Sequence, residues 1–205
     1  MLFSDTYKTI AAESKGLFKD RGSRFIAIAR PVSSQEEIKT ILEELRREYH
    51  DARHHCYAWM LSPDRQVWRV NDDGEPSGTA GRPIMGQINS RELTNILVVV
   101  IRYFGGTLLG VSGLINAYRS AAEDALSNAR VIEKQVNESW LVTFPYTAMN
   151  DVMKVIKDES CGQHSHDYGG EECSAEISFR ALNTDKVTGR LRKIAGVTLT
   201  WLRTE

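Results

Sequence analysis

Two stretches of the chain concentrate the residue types that do chemistry. The first is Asn71-Asp-Asp-Gly-Glu-Pro-Ser-Gly-Thr-Ala-Gly-Arg-Pro83, a turn feeding a helix. Ser77 and Thr79 are placed to cap that helix, and several backbone N–H groups around Gly74, Gly78 and Gly81 are expected to face one way. Helix starts of this kind attract anions, because unpaired donors and the helix dipole act together. Arg82 adds a forked guanidinium suited to phosphate or carboxylate. The alternative is a tight turn in which the glycines bend the chain and the acids cap it.

The second stretch is Arg102-Tyr-Phe-Gly-Gly-Thr-Leu-Leu-Gly-Val-Ser-Gly113, a strand, a loop and a helix start. Gly105 and Gly110 have the spacing of a phosphate-binding loop, but Val111 stands where the lysine is required. Gly110-Val-Ser-Gly-Leu114 resembles a nucleophile elbow without its final glycine. Both enzyme motifs fail, and Ser112 is expected to cap the helix. Tyr103 and Phe104 beside Arg102 are suited to stacking on bases, or to burial as core aromatics.

His54, His55 and Cys56 open a strand, so alternation sends His54 and Cys56 to one face and His55 to the other. A single metal cluster of the three is excluded. A histidine working with Asp73 or Glu75 as an acid/base pair requires the fold to bring them together. Cys161, His164, His166 and Cys173 are soft ligands, yet their spacing matches no strong zinc signature. Asn71–Gly74 lacks the alternating ligands of a calcium loop. No metal is expected.

The elements that position these residues follow from periodicity. A strand over 22–32 precedes a helix announced by the capping box Ser34-Gln-Glu-Glu37, with Ile38, Ile41, Leu42, Leu45 and Tyr49 on one face. Strands follow at 55–61 and 66–70. Asn95 to Tyr103 is apolar on both alternations and reads as a central strand covered on both faces. The long helix after it is expected to bury Val111, Leu114, Ile115, Tyr118, Ala122, Ala125 and Leu126 on one face. From 135 onward the order is strand (139–145), helix, two strands (near 163–168 and 172–180), helix and strand (197–203). That is the βαββαβ plan of ferredoxin-like domains.

Charge nearly cancels over the 205 residues, with 26 Lys+Arg against 27 Asp+Glu. This excludes a tail-type nucleic-acid binder but leaves room for a local basic patch. Residues 1–134 carry 18 bases and 17 acids, and 135–205 carry 8 and 10. No apolar run reaches the roughly 18 residues of a membrane span, so no membrane partner is expected. The start lacks a secretory pattern, and three cysteines leave one unpaired in any disulfide scheme. A reduced, cytoplasmic chain is expected.

Gly22-Ser-Arg-Phe-Ile-Ala27, Ala52-Arg-His-His-Cys-Tyr-Ala58, Asp73-Gly-Glu-Pro-Ser-Gly-Thr-Ala-Gly-Arg-Pro83, Val100-Ile-Arg-Tyr-Phe-Gly-Gly106 and Gly113-Leu-Ile-Asn-Ala-Tyr118 together resemble the IMPACT/YigZ family. The likeness covers residues 1–134, and the remainder is similar to the smaller C-terminal domain of bacterial members. Asn116 departs from the basic residue of many relatives. The resemblance implies an α+β chain with a ribosomal-protein-S5-domain-2-like domain over 1–134 and a ferredoxin-like domain over 135–205. Both are similar to the last two domains of the translocase elongation factor. It implies no cofactor and no established reaction. It also implies control of translation, through RNA, the ribosome or a regulatory protein, although fold alone does not determine function.

Three readings remain open. A binding protein would use His54, His55, Asp73, Gly74, Glu75, Ser77, Gly78, Thr79, Gly81, Arg82, Arg102, Tyr103, Gly105 and Gly106. A hydrolase acting on a phosphate- or nucleotide-containing substrate would use Asp73 or Glu75 with a histidine. A purely structural role would bury Arg102 against an acid such as Asp73 or Glu75.

Overall fold

In the computed structural model, which describes residues 5–169 and 172–204, the chain divides into two units after Lys134. The first unit contains β2 (Ser14–Asp20), β3 (Ser23–Pro31), α1 (Gln35–Glu48), β4 (His54–Leu61), β5 (Val67–Asn71), α2 (Gly81–Ser90), β6 (Ile96–Tyr103) and α3 (Gly110–Ser127). Its sheet has the order β2-β3-β6-β4-β5, with every neighbouring pair antiparallel. In addition, β1 (Thr6–Ile10) and β7 (Val131–Gln135) form a two-stranded sheet.

Strand β6 lies at the centre because both of its alternations are apolar. Ile96, Val98 and Val100 pack with buried residues of α2 and α3, while Leu97, Val99 and Ile101 pack with Ile38, Ile41 and Leu45 of α1. The period of two along a strand makes this two-sided burial possible. Ser34 caps α1 by accepting from Glu37 N. The Glu37 carboxylate, however, takes the N–H and hydroxyl of Ser33, one residue before the partner the capping box assigns it.

The second unit contains β8 (Asn137–Pro145), α4 (Met149–Asp158), β9 (Gly162–Asp167), β10 (Glu172–Arg180), α5 (Thr184–Leu191) and β11 (Thr198–Thr204). The sheet order is β11-β8-β10-β9, again antiparallel throughout. Val142, Phe144, Ala175 and Ile177 pack with Val152, Ile156, Val187 and Leu191. The described residues before Tyr7 group with this unit, which differs from the expected 1–134. The Arg180 guanidinium explains the difference by donating in fork fashion to the Asp5 carboxylate, at 2.8 and 3.0 Å. No helix among the described residues is long and apolar enough to cross a membrane.

Candidate functional site

The turn after β5 and the loop before α3 frame one cluster of polar side chains. Asp72, on that turn, accepts three backbone N–H groups, from Gly78 (2.8 Å), Ala80 (3.0 Å) and Gly81 (2.8 Å). Burial acts to raise the Asp72 pKa, but these donors and the nearby Arg82 charge outweigh it and hold the carboxyl below its ordinary value. The expected anion site at this helix start is therefore filled by the chain's own carboxylate. Neither Ser77 nor Thr79 caps α2: the N-cap position is Ala80, and the Thr79 hydroxyl donates to Pro76 O at 2.7 Å.

Glu75 points inward from the same turn. Its Oε1 accepts from Arg102 Nη1 at 2.5 Å and from the Tyr118 hydroxyl at 2.8 Å. The two ionic side chains are only 4% and 7% exposed. Arg102 lies at the end of β6, with its guanidinium carbon 5.5 Å from the Phe25 ring centroid and 5.6 Å from that of Phe104. This corrects the expectation that Arg102 offers positive charge at the surface. The Cys56 thiol sits 3.3 Å from the Tyr118 hydroxyl and 3.0 Å from Asp72 O. Burial pushes the Cys56 thiol far above its ordinary value and the Tyr118 phenol likewise, so neither supplies an anionic nucleophile near neutrality.

Asp73 joins the turn to β4 and α1. Its Oδ2 accepts from His55 N at 2.7 Å, and its Oδ1 from Arg46 Nη2 at 3.0 Å. Its carbonyl lies 2.8 Å from His54 Nδ1; because a carbonyl only accepts, the proton sits on that nitrogen. His55 faces the other way, its Nδ1 3.9 Å from Asp73 Oδ2 and its buried Nε2 without a partner. Desolvation lowers the His55 pKa despite the Asp73 charge. The fold thus brings both histidines to Asp73. Sequence reasoning missed Arg46 and Tyr118, whose partners lie far away along the chain, and Asp72, at which only the Asx-rich turn hinted.

The loop from Phe104 to Val111 has a different character. Gly105 is used up structurally: its N–H donates to Ser23 Oγ at 3.1 Å, and a Cβ there would lie 1.9 Å from Gly22 C. Only glycine permits that approach. Gly106 is exposed. Phe104 (53%), Leu108 (81%) and Val111 (59%) are exposed apolar side chains; Val111, expected on the buried face of the long helix, instead faces outward in its first turn, and burial begins at Leu114. Helix α3 starts at Gly110, with Leu109 at the cap position, no side-chain cap and no acid in its first turn. Ser112 therefore sits inside the helix and is not its cap. Arg82 is exposed and Tyr103 half-buried; the Tyr103 hydroxyl donates to Asp51 Oδ1.

Among the described residues no group of three or more His, Cys, Asp or Glu is arranged to hold a metal ion. His164 Nε2 meets Ser178 Oγ at 2.7 Å, His166 stacks on Tyr168, and Cys173 is buried. Burial pushes the Cys161 thiol up to about 11.

Known proteins share this arrangement of sequence. The chain is 32% identical over 136 residues to the IMPACT family member YvyE of Bacillus subtilis, covering 66% of this chain and 63% of that protein. It is 43% identical over 106 residues to the IMPACT family member YigZ of Escherichia coli, covering 51% and 52%. Proteins named IMPACT from Oryctolagus cuniculus and Mus musculus align over 44% of this chain. The chain thus spans less than two thirds of the length of these curated relatives. A crystal structure of a hypothetical protein superposes with a TM-score of 0.76 at 27% identity, covering 98% of this chain and 99% of that one. The Impact N-terminal domain family matches residues 21–126, a stretch that includes the Asp72–Glu75 turn, Arg102, the 104–111 loop and Tyr118. With just over half its length inside that match, the chain belongs to the IMPACT family.

Proposed function

We propose that this protein is a translation-associated binding module that contacts RNA, the ribosome or a translation-control protein in the cytoplasm. Its contact surface is the 104–111 loop with the adjoining Gly74–Arg82 turn. One observation carries the reading. The groups suited to acid/base or nucleophilic work, namely Asp72, Asp73, Glu75, Arg102, Tyr118 and Cys56, are bonded to one another or to backbone. Beside them Phe104, Leu108 and Val111 stand exposed at an uncapped helix start. Exposed apolar groups in one loop mark an interaction surface, and the buried Glu75–Arg102 pair anchors the end of the strand that leads into it.

The sheet order β11-β8-β10-β9 in a βαββαβ chain supports reading the second unit as ferredoxin-like. The antiparallel sheet between α1 and the pair α2 and α3 supports an S5-domain-2-like first unit. Both belong to the same proposal, as does the link to translation, which rests on family membership. Co-sedimentation with ribosomes tests the function: retention is expected for the intact chain. Absence of retention, together with turnover of a phosphoester substrate, contradicts it.

A further inference from the structure

The two-residue turn between β2 and β3 consists of Arg21 and Gly22, with φ of 46° and 77°. Asp20 pairs with Ser23 across it. Positive φ at both central positions is the pattern of a type I′ hairpin turn, whose first position favours Asn, Asp or Gly. An arginine there accepts backbone strain that a smaller polar residue would relieve.

Next to the turn, Lys19 stands directly opposite Arg24, and Arg24 directly opposite Tyr103. Like charges in that cross-strand position repel. The Arg24 guanidinium is held over the Tyr103 ring, 4.8 Å from its centroid, and Asp51 fixes the Tyr103 hydroxyl at 2.7 Å. Among the described residues, Lys19, Arg21 and Arg24 form no ion pair with an acid. They line an open surface depression of about 430 Å³ with Asp20, Gly22, Ser23 and Tyr103. The facing acids are Asp20, which also lines the pocket, and Asp51, whose carboxylate holds the Tyr103 hydroxyl and feels the Arg24 charge, so three exposed cations outnumber two acids. Two facing cations, one of them a ring-stacked guanidinium, and a third cation on the turn converge on one depression, and their combined charge asks for an anion.

We propose that this pocket holds a phosphate of a single-stranded polynucleotide backbone, with Lys19, Arg21 and Arg24 as its cations and Tyr103 as the platform that orients Arg24. The inference rests on the proposed function and supplies the positive charge that Arg102, being buried, does not. Flexible single strands fit a site with one ring-stacked guanidinium and two exposed cations on a hairpin turn better than a duplex does, since their phosphates adjust spacing freely.

The test is fluorescence anisotropy with a uridine oligonucleotide of about ten nucleotides, titrated between about 50 and 200 mM salt. The variant is Lys19→Gln with Arg21→Asn. Asparagine suits the left-handed turn position, so the melting temperature should hold and loss of folding does not confound the result. The dissociation constant should rise roughly tenfold, and the log–log salt slope should become shallower by about 1.4, for two lost contacts of about 0.7 each. Unchanged affinity and slope in this variant, with loss in a Leu108→Ser/Val111→Ser variant, overturn the inference and leave the proposed function standing. Loss in the first variant and none in the second sustain the pocket and remove the loop as the contact surface. Failure of the intact chain to bind at low salt overturns the pocket, while ribosome retention still decides the function. Uridine monophosphate is the second ligand: competition as strong as the oligonucleotide's, at equal phosphate, assigns the pocket to free nucleotides and overturns the polynucleotide assignment.

Discussion

Arg102 Nη1 donates to Glu75 Oε1 at 2.5 Å, with both side chains almost wholly withdrawn from water. The pair ties the turn after β5 to the end of β6, and Tyr118 on α3 shares the same oxygen. Three elements that are distant in sequence meet on one carboxylate.

Breaking that pair should be expensive. Arg102→Ala leaves Glu75 buried without its counter-charge and should cost about 3–5 kcal/mol in urea unfolding, whereas Arg102→Met with Glu75→Leu should recover most of the loss. A cost below about 1 kcal/mol in the single variant would show the pair to be solvent-screened.

Asp72→Ala removes the acceptor of three N–H groups at the start of α2 and should destabilise by about 1 kcal/mol at neutral pH. The folded-state pKa of Asp72 lies below its unfolded value, so its contribution is present above about pH 4 and fades as pH falls through the folded value. The stability gap between intact chain and variant should therefore close on acidification. A constant gap would contradict the capping role.

His55 has the same sign in a higher pH window. Its folded pKa is lowered from 6.5 by burial, so the unfolded chain binds more protons between the folded value and 6.5. Stability should rise with pH through that window. His55→Gln should flatten the rise in urea midpoints measured from about pH 5 to 7. An equally steep rise in the variant would rule His55 out as its source.

Thiol reactivity checks the inward-facing cysteines. Cys56 and Cys173 are buried and the Cys161 thiol is pushed up to about 11, so iodoacetamide near neutral pH should label the native chain slowly. All three cysteines should label quickly in denaturant. Rapid native labelling at Cys56 would contradict its burial against Tyr118 and Asp72.

The architecture was legible wherever one face of an element differs from the other. From Cys173 to Arg180 buried and half-exposed residues alternate, and Ile96–Ile101 is apolar on both sides. Strands β1, β2 and β7 escaped notice because Lys8, Lys15, Lys19, Glu133 and Lys134 break up their apolar pattern. At the site, the sequence marked the glycine turns but not their occupants. Asp72 closes its own helix start across a few residues, while Glu75 reaches Arg102 and Tyr118 through tertiary folding that no local spacing encodes. Ser77, Thr79 and Ser112 looked like caps by type, yet backbone geometry placed Ala80 and Leu109 at those positions. The strip Lys19–Arg24–Tyr103 became visible only when strand register set the three side by side.

The central claim is that the 104–111 loop meets the partner while Glu75 beside it is taken up in holding Arg102 and Tyr118. Ribosome retention of the Leu108→Ser/Val111→Ser variant against the intact chain tests it most directly, with melting temperature measured in parallel. Retention should fall roughly tenfold or more, as for truncated interface anchors, at an unchanged melting temperature. Full retention in the variant would contradict the account.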